Sequence, residues 1–326
     1  MIADDLTGAC DTGVQFAQAG IGTGVLLDTE QRSRITAAMT VISTDSRSVS
    51  SAEAQSRVLD ACETLKAHKM RLVYKKIDST CKGHIGLELA TVMHRLQIDQ
   101  AVVSPAFPAM GRVLINGHLQ GSGGVEIARV HLLKLLREQG LTDIETLSIE
   151  DLRKGKELLR AALERGTRVV LADAETDADL TRIVDVCLAQ LSAPLLVGSP
   201  GLAIPLAAHL AVPQTGSPIE DTSSVSTARS IILFIGSTNP VTVAQIEELV
   251  AQGQTEKIAL GESSANIEAA LSVGRHVLID IPVHREPEAR LAASLTALRP
   301  FLTRQCVRGL VLCGGDTACL VIRTLS

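Results

Sequence analysis

Short apolar runs alternate along this chain with longer amphipathic segments. In the segment 51–66, Ala54, Val58, Ala61 and Leu65 recur at the spacing of one face of a helix. The run 231–235 is apolar throughout, which is typical of a buried strand. Strands that alternate with helices predict βαβ units. The chain is therefore predicted to have an α/β fold with mostly parallel sheets flanked by helices.

The same pattern predicts where the individual elements lie. Strands are predicted at residues 1–3, 24–27, 40–44, 72–74, 101–104, 168–172, 194–197, 231–235, 276–281 and 309–313. Helices are predicted at 9–19, 51–66, 83–96, 128–138, 180–189 and 240–252, with a last helix that ends at 326. The glycine-rich segment 116–124 is predicted to be a loop.

The chain is expected to form two domains. Its 326 residues exceed what one hydrophobic core usually serves. Residues 213–228 are rich in Pro, Ser and Thr and have little to bury, so we interpret them as a linker. The predicted domains are therefore residues 1–212 and 229–326.

Polar clusters follow several predicted strands of the first domain. Asp4-Asp5 follows the first strand, Arg47 lies in the polar stretch after the strand 40–44, and Lys75-Lys76-Ile77-Asp78-Ser79 follows the strand 72–74. Ligands of open α/β sheets bind beyond the carboxyl ends of the strands. The clusters therefore indicate a site for a small, negatively charged, hydroxylated molecule. Solvated turns are the alternative interpretation, and Asp4 and Asp5 could simply cap a helix.

Two turns of the second domain place small residues before a helix. They are Gly236-Ser237-Thr238-Asn239 and Gly314-Gly315-Asp316-Thr317. A helix start presents free N–H groups that suit a phosphate, although neither turn is a Walker A loop or a GxGxxG fingerprint. Asp316 is compatible with a helix cap, a Mg²⁺ contact or a proton acceptor, and its position in the sequence does not choose among them.

Composition and charge narrow the function classes. The net charge is −5 and aromatic residues are 2% of the chain, which argues against a nucleic-acid partner. Seven cysteines, an odd number without CxxC spacing, favour reduced thiols over a disulfide or zinc framework. The sequence shows neither a signal peptide nor an apolar stretch of membrane-spanning length. We therefore expect a cytoplasmic enzyme with no membrane partner.

The motifs together resemble the four-carbon acid sugar kinase family, which includes 3-oxo-tetronate and threonate kinases. The likeness covers nearly the whole chain in the right order. The segments that carry it are 2–9 with 11–13, 45–48, 75–80 with 83–84, 105–108, 116–118, 173–176, 236–237 with 240–242, and 314–318.

This resemblance implies ATP-dependent phosphorylation of the terminal hydroxyl of 3-oxo-tetronate, threonate or erythronate. It implies that the first domain binds the acid, that the second binds ATP, and that the active site lies in the cleft between them. The implied acid-binding residues are Asp4, Asp5, Arg47, Lys76, Ile77, Asp78 and Ser79. The implied nucleotide-binding residues are Ser237, Gly314, Gly315, Asp316 and Thr317. Asp78 and Asp316 are candidates for accepting the hydroxyl proton, and Mg²⁺ is expected with ATP rather than on a metal site of the protein.

Three departures from the family pattern keep alternatives open. The chain stops at Ser326 where the family continues, the loop 121–124 is shorter, and Lys82 stands where arginine is usual. The second domain is therefore predicted to be truncated. One alternative is a catalytically impaired remnant that binds the acid, and another is an aldolase or dehydratase that needs no nucleotide. The choice of acid, its stereochemistry and the oligomeric state, a homo-oligomer being compatible, are left open by the sequence.

Overall fold

The structure is a computed structural model that describes residues 1–27, 37–68, 70, 72–190, 192–211, 230–262, 264–282, 288–302 and 306–325. The chain divides into two compact units, Met1–Thr215 and Gly216–Ser326. Each unit is described by itself, so the predicted cleft between the domains stays a prediction. The predicted linker 213–228 lies outside the described residues.

The first unit contains an eight-stranded sheet and a three-stranded sheet. Its elements are β1 Ile2–Ala3, α1 Leu6–Gln18, β2 Thr23–Leu26, β3 Met39–Ser43, α2 Ser51–Ala67, β4 Tyr74–Lys76, α3 Ile85–Leu96, β5 Ala101–Ser104, a short 3₁₀ helix Pro108–Met110, β6 Arg112–Ile115, β7 His118–Gly121, β8 Val130–His131, α4 Leu132–Glu138, β9 Ile144–Leu147, α5 Ile149–Lys154, α6 Glu157–Glu164, β10 Val169–Ala172, α7 Asp177–Leu188, β11 Leu195–Gly198 and α8 Pro200–Leu210.

The eight-stranded sheet is parallel throughout, in the order β2-β3-β1-β4-β11-β5-β10-β9. Its central strand β1 is short, and Ile2 pairs with both Ile42 and Lys75. Crossovers between parallel strands are right-handed, so α1 lies on one face of the sheet and α2 and α3 on the other. Accordingly α1 packs against α8, and α2 packs against α3. The core between these layers is aliphatic and includes Ile42, Leu89 and Val102.

The second unit has a four-stranded parallel sheet in the order β13-β14-β12-β15. Its elements are β12 Ser230–Ile235, α9 Pro240–Ala251, β13 Thr255–Ala259, α10 Ser264–Ser272, β14 His276–Asp280, α11 Glu288–Thr296, α12 Arg299–Leu302, β15 Val307–Cys313 and α13 Gly315–Leu325. Phe234, Val277 and Leu295 lie at the centre of its core. The predicted α/β class with mostly parallel sheets is confirmed.

Four predicted elements were wrong in detail. The helix predicted at 128–138 begins only at Leu132, and Val130–His131 form β8. Strand β4 was predicted at 72–74 but includes Lys75 and Lys76, because both ammonium groups find partners inside the protein. The predicted loop 116–124 is largely a hairpin, in which Asn116 and Gly117 form the turn with positive φ angles of 51° and 69°. Helix α1 begins at Leu6 rather than residue 9, because the Asp5 side chain accepts from the Gly8 N–H and caps it.

Among the described helices, none combines the length and apolar character needed to cross a membrane. All seven cysteines are free thiols, and burial raises the pKa of Cys62, Cys81 and Cys187 to about 12.

Candidate functional site

The order of the first sheet reverses between β1 and β4. From β1 the chain proceeds to β2 and β3 on one side of the sheet, whereas β5, β10 and β11 lie on the other side. Such a switch point opens a crevice beyond the carboxyl ends of the two strands, where α/β proteins bind their ligands. The segments that follow β1, β3 and β4 here are Asp4-Asp5, Thr44–Arg47 and Ile77–Ser79.

Arg47 gathers three carboxylates at this point. Its Nε and Nη2 donate to Asp4 Oδ2 at 2.8 Å and Oδ1 at 2.9 Å, and Nη2 also donates to Asp5 Oδ1 at 2.9 Å. Its Nη1 lies 3.6 Å from Asp78 Oδ1. Burial alone would lower the pKa of Arg47, but the hydrogen bonds to Asp4 and the charges of all three aspartates raise it. The fork of Arg47 is therefore fully ionised and engaged.

Local backbone geometry brings Arg47 to the aspartates. The N–H groups of Ser46 and Arg47 both donate to the Asp4 carbonyl, which holds the segment after β3 against the end of β1. Gly83 lies behind the arginine with a φ of 89°, and a Cβ there would be 3.2 Å from Arg47 Cγ. Glycine at position 83 therefore provides both a left-handed backbone and the room that Arg47 occupies.

Lys76 is the second cation of the site. Its Nζ donates to the Ile77 carbonyl at 2.9 Å, and burial lowers its pKa although Asp4, Asp5 and Asp78 act in the opposite direction. A Cβ on Gly8 would lie 2.7 Å from Lys76 Nζ and 2.5 Å from Asp5 Oδ1. The Ile77 side chain is buried, so this residue offers the site only its backbone.

A buried ion pair lies behind the site. Lys75 Nζ is 2.7 Å from Glu88 Oε2, and both side chains are almost completely inaccessible to solvent, at 0% and 2%. Glu88 Oε1 accepts from Ser46 Oγ at 2.7 Å, and Ser46 in turn contacts Thr44 Oγ1 at 2.7 Å. This chain of polar contacts joins β4, α3 and the segment after β3, and so fixes the backbone that carries Arg47.

The environments of Asp5 and Asp78 push their pKa values apart. Burial raises the pKa of Asp5, although the charges of Arg47 and Lys76 oppose it. Burial would also raise the pKa of Asp78, but the hydrogen bond from Thr80 and the charge of Arg47 bring it below its ordinary value. Asp78 Oδ2 accepts from the N–H groups of Thr80 and Lys82, both at 3.2 Å, which leaves Oδ1 towards Arg47.

Arg112 is a site residue that the sequence analysis missed. It begins β6, and its Nη1 donates to the hydroxyl of Ser79. Between Ala101 and Val125 it is the only Lys, Arg, Asp or Glu in the sequence. A lone charge in an otherwise uncharged stretch was the signal that could have found it.

Other polar strand ends have structural roles. Asp173, after β10, accepts from the N–H groups of Asn116 and Gly117 and so holds the tip of the β6–β7 hairpin. Thr176 and Asp179 form a capping box at the start of α7. Ser199 caps α8 and donates to the Ala106 carbonyl at 2.8 Å. For these clusters, helix capping and turn formation are sufficient explanations.

In the second unit, the two predicted phosphate turns lie side by side. A Cβ on Gly314 would be 3.4 Å from the Ser237 nitrogen and 3.2 Å from Thr317 Oγ1, and Gly314 has a φ of 104°. Asn239 caps α9 by accepting from the Val241 N–H at 2.9 Å. Gly315 and Asp316 open α13. The starts of two helices, α9 and α13, therefore meet at the carboxyl ends of β12 and β15.

In the part of the chain that the structure describes, His, Cys, Asp and Glu form no group of three that could hold a metal ion. A cavity of about 520 Å³ lies at the amino ends of β4, β5 and β11, lined by residues such as Leu72, Leu96 and Pro194. It is at the edge of the sheet opposite to Arg47, so we do not assign the site to it.

Known proteins resemble this chain over most of its length. A family model described as the sugar-binding N-terminal domain matches residues 1–206. The D-threonate kinase of Salmonella typhimurium is 32% identical over 79% of this chain and 62% of its own length. The 3-oxo-tetronate kinase of Pseudomonas savastanoi pv. phaseolicola is 26% identical over 99% of this chain and 85% of its own length.

A solved structure from Salmonella typhimurium LT2, described as a putative tRNA synthase, has a TM-score of 0.77 and 24% identity. It matches 100% of this chain and 87% of that protein, and at this identity the likeness shows the fold alone.

The fold and the family model define the first unit as a sugar-binding α/β domain. The chain belongs to the four-carbon acid sugar kinase family, whose members are phosphotransferases. The family resemblance predicted from the sequence is thereby confirmed.

Proposed function

We propose that this chain is an ATP-dependent kinase that phosphorylates the terminal hydroxyl of a four-carbon sugar acid, with D-threonate as the first candidate. The observation that carries the proposal is the gathering of Asp4, Asp5 and Asp78 on Arg47, beside Lys76, at the switch point of the first sheet. D-threonate is preferred over 3-oxo-tetronate because the threonate kinase relative has the higher identity. It is preferred over D-erythronate because the match to a D-erythronate kinase, although 34% identical, covers only 56% of this chain, against 79% for the threonate kinase.

The acid site uses side chains. The carboxylates of Asp78 and Asp5 accept hydrogen bonds from the hydroxyls of the substrate, since a hydroxyl donates one proton and accepts through its lone pairs. Lys76 and the Ser79 hydroxyl donate. Arg47 keeps the aspartates together and compensates their charge, so that three carboxylates are tolerated in one crevice.

The nucleotide site uses backbone groups. Ser237 and Gly314, Gly315, Asp316 and Thr317 surround two helix starts whose free N–H groups suit the phosphates of ATP. ATP supplies the phosphoryl group, and Mg²⁺ neutralises the charge of the phosphates. The described residues offer Mg²⁺ no three-ligand cage. We therefore propose that Mg²⁺ binds mainly to the phosphates, with Asp316 as the nearest carboxylate among the nucleotide residues.

Asp78 and Asp316 remain our candidates for the group that accepts the hydroxyl proton. Asp5 joins them because burial raises its pKa, which makes it a stronger base than a carboxylate of ordinary pKa. Phosphoryl transfer depends chiefly on position and charge neutralisation, so removal of the true acceptor should lower kcat and leave the KM for the acid nearly unchanged.

The test is a panel assay. Purified full-length protein is incubated with MgATP and each of D-threonate, L-threonate, D-erythronate, L-erythronate and the 3-oxo-tetronates, and ADP and the phosphorylated acid are quantified. Acid-dependent ADP with a phosphate ester on the terminal carbon is the expected result. Acid binding without ADP would instead indicate the impaired remnant, and turnover without ATP would indicate an aldolase or dehydratase. A cytoplasmic location and a homo-oligomeric state stay predictions.

A further inference from the structure

We propose that Arg112 binds the carboxylate of the sugar acid, and that Arg47, which the sequence pattern favoured for this role, instead organises the aspartates. This inference rests on the proposed function. It deepens that function by assigning the acid group and the hydroxyls of the substrate to different side chains.

The contacts of Arg47 argue against a direct role in binding the acid group. Nε and Nη2 donate to Asp4 and Asp5, and Nη1 faces Asp78. Three carboxylates therefore surround Arg47, and Lys76 is the second cation beside them. A substrate carboxylate placed here would add a fourth negative charge to a crevice that already holds more negative groups than positive ones. Coulomb repulsion at such short distances disfavours that arrangement.

Arg112, unlike Arg47, has no carboxylate partner among the described residues. Its Nη1 donates to Ser79, which is a neutral hydroxyl, and its Nε is buried without a hydrogen-bond partner in the described protein. No ion pair joins Arg112 to an Asp or Glu among the described residues. The Nη2 group makes no hydrogen bond to a described residue, so the half-buried guanidinium can offer a carboxylate two parallel hydrogen bonds from its terminal nitrogens.

The position of Arg112 fits a short substrate. Ser79 follows Asp78 directly in the chain, so the guanidinium on Ser79 and the carboxylates around Arg47 border the same short segment after β4. A four-carbon acid has its carboxylate at one end and its reacting hydroxyl at the other. Placing the carboxylate on Arg112 and Ser79 directs the hydroxyls towards the aspartates, which accept hydrogen bonds.

Contacts with the segment after β10 fix the hairpin that carries Arg112. Asp173 accepts from the backbone at the hairpin tip, and Leu114 pairs with Ala174 after β10. The Arg112 main chain pairs with Phe107 through two backbone hydrogen bonds, which do not involve its side chain. A substitution of the Arg112 side chain should therefore leave the hairpin in place.

The experiment compares an acid with its neutral analogue. Binding of D-threonate and of D-threitol, which lacks the carboxylate, is measured by calorimetry without ATP for wild type, Arg112→Met and Arg112→Lys. The control is Arg129→Met, which removes an exposed cation from the segment between β7 and β8. Arg112→Met should weaken D-threonate binding by at least about thirtyfold and D-threitol binding by less than twofold. Arg112→Lys should restore part of the preference for the acid, because a lysine provides the charge without the fork.

If Arg112→Met weakens the binding of D-threonate and D-threitol equally, Arg112 has a structural role and the proposal that it binds the carboxylate is wrong. The proposal is also wrong if Arg112→Met leaves both affinities as they are in the wild type. If the wild-type protein phosphorylates D-threonate but Arg112→Met keeps the wild-type ratio of D-threonate to D-threitol affinity, only the role of Arg112 is refuted. If the protein binds D-threonate through Arg112 but transfers no phosphate, the proposed kinase activity is refuted and the carboxylate-binding role of Arg112 is retained.

Discussion

The two candidate sites of this chain contrast in how they handle negative charge. In the first unit, charged side chains meet at the switch point of the sheet and compensate one another, with Arg47 at their centre. In the second unit, small residues expose the backbone at the starts of α9 and α13, with Asp316 as the carboxylate in those turns. Single side chains should therefore determine the acid site, whereas backbone conformation should determine the nucleotide site.

The largest effect is expected from the buried ion pair behind the acid site. Lys75→Met leaves the Glu88 carboxylate buried and unpaired, which should cost about 3–5 kcal/mol of the free energy of unfolding in urea. The double variant Lys75→Met/Glu88→Leu should recover most of this loss, because it removes the orphaned charge as well.

Lys156→Met is the matched control, since Lys156 pairs with Asp185 at the exposed surface. It should cost less than about 1 kcal/mol. Equal costs for Lys75→Met and Lys156→Met would contradict the view that buried charges organise the acid site.

The next effect separates the two sites by their ligands. Arg47→Met leaves Asp4, Asp5 and Asp78 with Lys76 as the remaining cation, so D-threonate affinity should fall by at least about thirtyfold. Affinity for an ATP analogue should stay within about twofold, because the nucleotide residues are in the other unit. Calorimetric titrations of both ligands measure the split.

Arg165→Met, which removes a cation paired with Glu145 at the edge strand β9, controls for net charge and should change neither affinity. The reverse split in Arg47→Met, with nucleotide binding lost and acid binding kept, would invert the assignment of ligands to the two units.

The reciprocal change is Gly314→Ala. A Cβ at a φ of 104° strains the backbone by about 1–3 kcal/mol and crowds Thr317 and the Ser237 nitrogen. We expect about a tenfold loss of ATP-analogue affinity and no change in D-threonate affinity. Gly274→Ala, at a φ of 76° with open space around it, supplies similar strain without the crowding. If both variants bind nucleotide as the wild type does, backbone geometry does not define this site.

The smallest effect is a pH dependence inside the acid site. The folded pKa of Asp78 lies below its ordinary value of 3.8, so its contribution to stability is present above that value and is lost as the pH falls through the folded pKa. Asp78→Asn should therefore lose less unfolding free energy than wild type between about pH 5 and about pH 3.

Asp173 should change the pH dependence of stability in the opposite direction to Asp78. Burial raises its pKa, so its ionised form costs stability above the folded pKa, and that cost disappears as the pH falls. Asp173→Asn should therefore lose more unfolding free energy than wild type over the same acid range. Urea unfolding of the wild type and the two variants at several pH values measures both effects. If the free energy of unfolding depends on pH in the same way in all three proteins, both predicted pKa shifts are contradicted.

Much of this protein could be predicted from the sequence pattern. The α/β class follows from apolar runs that alternate with amphipathic segments. Strand β5 lies where it was predicted because it is buried along its whole length and apolar up to its last residue, Ser104. The sequence motifs identified the family. Boundaries at charged residues were less predictable, since Lys75 and Lys76 continue β4 only because Glu88 and the Ile77 carbonyl receive them. These partners are distant in sequence or depend on the fold, so local propensity does not reveal them.

The sequence by itself determined the class of fold, the family and the loops in which the chemistry lies, because hydrophobic period and motif spacing are local properties. The tertiary structure alone decided how the charges are shared. It engaged Arg47 with three aspartates, brought Arg112 across to Ser79, and assigned Asp173 to a hairpin turn. The physical reason is that an ion pair or hydrogen bond depends on distances of a few ångströms, and side chains tens of residues apart reach such distances only when the sheet forms.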